Sequence, residues 1–194
     1  MPLDKHFWQE RYTSCDTGWD IGAPSTPLKE YIDQLDDKEL RILIPGAGRA
    51  YEAEYLHQQG FRNVFIIDLT DAPYHDLLKR CPGFPKQHLI VGDFFTHEGQ
   101  YDRIIEQTFF CALDPSLRED YVKHMYALLK PGGKLVGVLF DDPLNDDRPP
   151  YGGSREEYVV LFGQHFDRSS FEPCRNSIPP RADRELWLCA EKEK

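Results

Sequence analysis

Residues 41–56 read RILIPGAGRAYEAEYL. The apolar burst Ile42-Leu43-Ile44 has the character of a buried parallel strand. Pro45, Gly46, Ala47 and Gly48 follow, and glycines at such a place permit a tight turn with bare backbone open to a ligand. Ala53, Tyr55 and Leu56 then recur at helical spacing. Free N–H groups at the start of that helix would favour a polar or anionic ligand group. The dinucleotide pattern GxGxxG is broken, because Tyr51 stands where the third glycine belongs. Taken alone, the stretch fits a plain structural turn as well as a ligand turn.

Outward from this stretch, apolar strands alternate with helical segments. The helix after the glycine turn runs to Gly60, a suitable stop. NVFIID at 63–68, HLIVGD at 88–93, YDRIIE at 101–106 and LVGVLF at 135–140 read as further strands. Segments 72–80 and 118–129 read as helices, and Lys130-Pro131-Gly132-Gly133-Lys134 reads as a turn. Such alternation implies βαβ crossovers and a parallel sheet covered on both faces. Beyond Asp141, DDPLNDDRPPYGG forms a loop, 158–166 is helical, and 171–175 with 186–190 make a strand pair. That pair predicts an antiparallel hairpin at one sheet edge. Upstream, Leu28, Tyr31, Ile32 and Leu35 have helical spacing, with Ser25 or Thr26 as cap ahead of Pro27. Residues 1–36 form an arm that spends Trp8 and Trp19, so it is expected to be tied down.

The chain has 194 residues, 40% hydrophobic and 13% aromatic, which fits one globular domain spanning 1–194. A net charge of −10 without a basic run argues against nucleic acid and anionic membrane surfaces as partners. The N-terminus lacks the apolar core of a signal peptide, and no apolar run reaches spanning length. Cys15, Cys81, Cys111, Cys174 and Cys189 are scattered without a CxxC pair. They read as reduced thiols of a cytoplasmic protein, and neither they nor the histidines show metal-ligand spacing.

The chemistry is expected outside the carboxyl ends of the strands. Three strands end in an acid: Asp68, Asp93 and Glu106. Asp68 lies at the distance from the glycine turn where such sheets hold a ribose diol. Asp93 could accept from an adenine amine while Phe94 supplies a ring face. The turn carries Tyr51, Glu52 and Glu54, which disfavours a pyrophosphate and with it a nicotinamide dehydrogenase. S-adenosylmethionine has no phosphate and bears a sulfonium, which suits carboxylates and aromatic faces such as Trp8, Tyr12 and Trp19. Those three rings could equally seal a core edge.

The chain resembles the thiopurine S-methyltransferase family, and within it the plant-type thiol/halide methyltransferase branch. The residues that carry the likeness are WQERY with GWDIG, IPGAGRAYE, IID ending at Asp68, and GDFF at 92–95. They continue with FFCAL at 109–113, Pro115 and Arg118, LLKPGG at 128–133, and PPY at 149–151. The resemblance implies an α/β, Rossmann-like class I methyltransferase with a seven-stranded, mostly parallel sheet, helices on both faces and an antiparallel C-terminal hairpin strand. It implies S-adenosylmethionine as donor, S-adenosylhomocysteine as product and a small thiol as acceptor. It assigns Trp8, Tyr12 and Trp19 to a cover over the donor and Gly46 to its methionine end. Asp68 goes to the ribose, Asp93 and Phe94 to adenine, and Glu106 to the site floor. Glu106, Tyr12 and Tyr151 are candidate proton acceptors, and Tyr151 also fits a plain turn residue. The branch usually has Trp at Tyr12, Cys at Ala47 and Gly at Ala50, departures that bear on the acceptor. Alternatives are a halide, oxyanion or small O/N acceptor, or a binding protein without catalysis. A monomer is expected.

Overall fold

The computed structural model describes residues 3–194. The chain opens with helices α1 (Lys5–Thr13) and α2 (Thr26–Asp33), then runs β1 (Arg41–Pro45), α3 (Tyr51–Gln58), β2 (Asn63–Asp68) and α4 (Ala72–Arg80). It continues with β3 (Leu89–Val91), β4 (Tyr101–Gln107), α5 (Arg118–Leu128) and β5 (Leu129–Phe140). Helix α6 (Arg155–Phe162) and strands β6 (Arg168–Pro173) and β7 (Glu185–Glu191) follow. All seven strands form one sheet in the order β3-β2-β1-β4-β5-β7-β6. Strands β1 to β5 are parallel, with α3, α4 and α5 supplying crossovers that parallel neighbours require. Strand β7 runs antiparallel between β5 and β6, so the mostly parallel sheet with its C-terminal hairpin is the architecture read from the sequence.

Alternating side chains divide the core between two faces. Ile42, Ile44, Ile66, Ile105 and Val136 meet Leu28, Ile32, Ala53, Leu56 and Leu77 from α2, α3 and α4. Leu43, Ile67, Ile104, Leu135 and Leu139 meet Tyr121, Met125 and Leu128 of α5 with Phe162 of α6. This is why the apolar runs show no single polar side.

Several boundaries differ from expectation for local reasons. Residues 130–133 are part of β5, not a free turn. The register between β4 and β5 slips there, and Gly132 and Gly133 pair with Lys192 in the C-terminal tail. Helix α6 starts earlier than 158 because Ser154 Oγ accepts from the Glu157 N–H and caps it. Strand β6 begins at Arg168, pairing from there with Glu191 of β7. Ser25 occupies the cap position of α2 without a side-chain cap bond; its N–H instead donates to Glu52 Oε1 at 2.9 Å.

Candidate active site

The strand order reverses between β1 and β4, the place where open α/β sheets bind ligands. A cavity of about 780 Å³ lies there. Its wall takes Gly46 and Gly48 from the turn after β1, Asp68 from the end of β2, and Asp93, Phe94 and Phe95 from the turn after β3. Thr108 and Phe109 come from the turn after β4 and Phe140 from the end of β5. Trp8, Tyr12 and Trp19 close it from the N-terminal side. Because β7 is antiparallel to β5, its leading end and the preceding residues Pro180, Arg181 and Arg184 reach the same edge of the sheet.

The glycine turn is built for close packing. Gly46 has φ +63° and donates its N–H to the Ile67 carbonyl at 2.9 Å. A Cβ there would stand 2.3 Å from Phe109 Cδ2, so glycine is needed whether or not a ligand approaches. Asp68 Oδ2 accepts from the Ala47 N–H at 3.1 Å and Oδ1 from the Thr70 N–H at 3.0 Å. Burial pushes the pKa of Asp68 up to about 6, against those N–H groups, which favour the charged form. A carboxylate has about four lone-pair sites, so acceptor capacity is left for ligand hydroxyls. Asp93 Oδ1 accepts from the Phe95 N–H at 2.9 Å, capping its own turn. Phe94 is 4% exposed, its ring held by Phe95, Phe109 and His124.

The arm forms an aromatic cluster. Trp19 meets Trp8 and Tyr12 edge-on, with ring centroids 5.8 and 5.6 Å apart. No residue of α1 is buried, so this helix lies on the surface while its rings face the cavity. The Tyr12 hydroxyl donates to the Gly48 carbonyl at 3.0 Å, and Arg181 Nη2 donates to the Trp19 carbonyl at 3.2 Å. Burial first, and the Asp68 charge second, raise the Tyr12 pKa; the phenol keeps its proton and acts as a donor.

Glu106 and Tyr151 do not line the cavity. Glu106 is fully buried beneath it, where Oε1 accepts from the N–H groups of Phe109 at 2.7 Å and Phe110 at 3.0 Å. Its Oε2 accepts from the Tyr121 hydroxyl at 2.7 Å. Burial pushes its pKa up to about 7, with the Tyr121 bond and the two N–H groups opposing. The carboxylate thus shapes the Phe109 turn from behind. Tyr151 is 7% exposed; its N–H donates to the Cys111 carbonyl at 2.7 Å, and Pro149 and Pro150 of its loop reach the cavity in its place.

Sequence reading missed Arg181, Arg184, Phe109 and Cys111 as cavity residues. Arg181 is 9% exposed, with its guanidinium carbon 5.6 Å from the Phe140 ring and Nη1 3.5 Å from Glu185 Oε1. Cys111 is buried, which pushes its thiol up to about 12. FFCAL carries part of the family likeness, whereas nothing in the spacing of PPRADR marks Arg181. Among the described residues no group of three or more His, Cys, Asp and Glu could hold a metal ion. No helix there is long and apolar enough to cross a membrane.

The family model described as thiopurine S-methyltransferase matches residues 3–189. A probable thiol methyltransferase 2 of Arabidopsis thaliana is 29% identical over 180 residues, 90% of this chain and 79% of that protein. A thiopurine S-methyltransferase of Acinetobacter baylyi is 24% identical over 188 residues, 85% of this chain and 86% of that one. Among solved structures, the Burkholderia thailandensis 1,6-didemethyltoxoflavin-N1-methyltransferase, with S-adenosylhomocysteine bound, superposes with a TM-score of 0.75. That superposition covers 98% of this chain and 87% of the other at 18% identity, a likeness of fold.

Proposed function

Because the chain belongs to the thiopurine S-methyltransferase family, we propose that its cavity binds S-adenosylmethionine beside a small thiol and directs the methyl group to the thiolate sulfur. One observation carries this reading: a single cavity joins an acidic, aromatic side to a buried cation. Asp68 and Asp93 stand at the ends of β2 and β3, and Arg181 stands just before β7. Four strand spacings separate β2 from β7, roughly 19 Å at ~4.8 Å each, enough for an extended nucleoside with an acceptor next to it.

The donor end suits the proposed ligand in chemistry. Asp68 has lone pairs left for the ribose diol, and charge-assisted bonds there fix orientation. Asp93 accepts the adenine amine, with Phe94 and Phe95 as neighbouring wall. Trp8, Tyr12 and Trp19 offer ring faces to a cation and keep water out. When bound, S-adenosylmethionine supplies an electrophilic methyl carbon, so positioning and dehydration are the protein's main tasks.

At the acceptor end, Leu113, Leu144, Pro149 and Pro150 make the wall apolar while Arg181 supplies positive charge. A large, weakly hydrated thiolate fits that combination better than an amine or alkoxide does. Tyr12 and Cys111 hold their protons in the neutral range, and Glu106 lies below the floor. We therefore assign Arg181 to holding a thiolate that ionises in solution, Glu106 to shaping the Phe109 turn, and Tyr151 to anchoring its loop. The five free cysteines support a reducing compartment, the cytoplasm, and one chain supplies both ends of the cavity, in keeping with a monomer. The test is the pH dependence of kcat/KM with thiols of different acidity. The midpoint is expected to follow each acceptor's own pKa; one fixed midpoint for all acceptors would mean that an enzyme base takes the proton.

A further inference from the structure

Helix α1 has no fully buried residue, so polar contacts join its half-buried rings in holding the arm over the cavity, among them the Tyr12–Gly48 and Arg181–Trp19 bonds. One contact stands out. Arg49, in the glycine turn, directs Nε to Asp20 Oδ2 at 3.2 Å and Nη1 to Asp76 Oδ2 at 2.5 Å. Asp20 follows Trp19 on the arm, whereas Asp76 belongs to α4, so one guanidinium ties the arm to the body of the protein. Its carbon also lies 5.7 Å from the centroid of the Tyr12 ring. Arg49 itself comes from a fixed point: its carbonyl accepts from Arg80 Nη2 at 2.5 Å, and Arg80 Nε reaches Glu54 Oε2 at 2.6 Å.

The pair is sheltered. Side-chain exposure is 18% for Arg49 and 23% for Asp20, against 63% for Asp16 in the arm's own pair with Arg11. Partial burial reduces screening, so this ion pair counts for more than a surface one. Neither Arg49, Asp20 nor Asp76 is part of the cavity wall, and Asp20 belongs to the arm, so a change at Asp20 reads out the arm's hold on a bound nucleoside.

We propose that Arg49 is the latch that holds the N-terminal arm over the donor, and that the Arg49–Asp20 contact sets how long donor and demethylated product stay bound. Arg49 is thus a positioning residue. The inference rests on the reading of the cavity as an S-adenosylmethionine site. Closure places Trp8, Tyr12 and Trp19 together, and because Trp19 touches both other rings, loosening Asp20 weakens the cover as a unit while the Tyr12–Gly48 and Arg181–Trp19 bonds remain to close it again.

The test uses Asp20→Asn, which removes the arm's charge, keeps Oδ1 able to accept from the Gly22 N–H, and leaves the Arg49–Asp76 pair in place. S-adenosylhomocysteine is the probe, followed by tryptophan fluorescence in stopped flow, with hydrogen exchange on the same proteins. The dissociation rate is expected to rise about fivefold with the association rate within about twofold. Exchange should quicken across residues 5–20 and stay unchanged in α3 and α4. Arg49→Gln also loses the pair with Asp76 and should release the probe at least as fast, and adding Asp20→Asn to it should not speed release further, because the Arg49–Asp20 contact is already gone. Release at the wild-type rate from Asp20→Asn would overturn the latch, as would exchange that quickens equally in α3 and α4. Wild-type protein that bound no S-adenosylhomocysteine would overturn the donor reading itself.

Discussion

Replacing Glu106 by Gln separates a buried structural carboxylate from a catalytic base. The side chain is fully buried with three donors, and burial raises its pKa from the ordinary 4.5 to about 7. The folded protein therefore binds this proton more tightly than the unfolded chain does. Its contribution to stability is fully present below pH 4.5 and is lost as pH rises through about 7. Over that interval, at about 1.4 kcal/mol per pH unit, the loss amounts to about 3 kcal/mol. Gln keeps the shape, its carbonyl can take the two N–H bonds, and it does not titrate. Urea unfolding of both proteins from pH 5 to 8 should show the stability difference moving toward the Gln variant by up to about 3 kcal/mol, then levelling off. Asp68 also titrates near there but does so in both proteins and cancels. A difference that stays constant with pH would refute the buried-titration reasoning. Loss of the lower limb of the pH–rate profile in the variant would make Glu106 the base after all.

Asp68→Ala should weaken S-adenosylhomocysteine binding in calorimetry by on the order of 2–4 kcal/mol, taking ~1.5–3 per charge-assisted bond with incomplete additivity. Wild-type affinity should fall about tenfold per pH unit once the pH drops below about 6, the value to which burial raises Asp68, and Asp68→Asn should lose that dependence. Gly46→Ala should cost about 2–4 kcal/mol in thermal unfolding, because φ is +63° and the new Cβ meets Phe109. Ala50→Gly should change stability by less than about 0.5 kcal/mol: relief of the left-handed backbone at φ 59° offsets the loss of a buried methyl worth ~0.8 kcal/mol.

What could be read from the sequence was what depends on neighbouring residues. The Ile42-Leu43-Ile44 burst, the glycine turn and the acid ending β2 are local signals, and they led to the sheet and the position of Asp68. Residues 130–133 misled because Pro and Gly are turn residues, while their strand pairing depends on Lys192, sixty residues away. Helix α1 carries no buried face, so no periodic pattern announced it. An acid at a strand end can turn toward a ligand or into the core. For Glu106 the choice was made by Tyr121 on α5, which no strand pattern reveals. Arg181 reaches the cavity through a short turn before β7, and its role depends on a tertiary meeting with Trp19 and Phe140.

The central claim is methyl transfer to sulfur, and product analysis tests it most directly. The protein would be incubated with methyl-labelled S-adenosylmethionine and a panel holding hydrosulfide, small aromatic thiols, amines, carboxylates and halides, with products identified by mass spectrometry. The expected result is labelled methyl thioether from the aromatic thiols and labelled methanethiol from hydrosulfide, each with S-adenosylhomocysteine in equal amount. Label carried only by amines or carboxylates, with hydrosulfide and the aromatic thiols untouched, would contradict it.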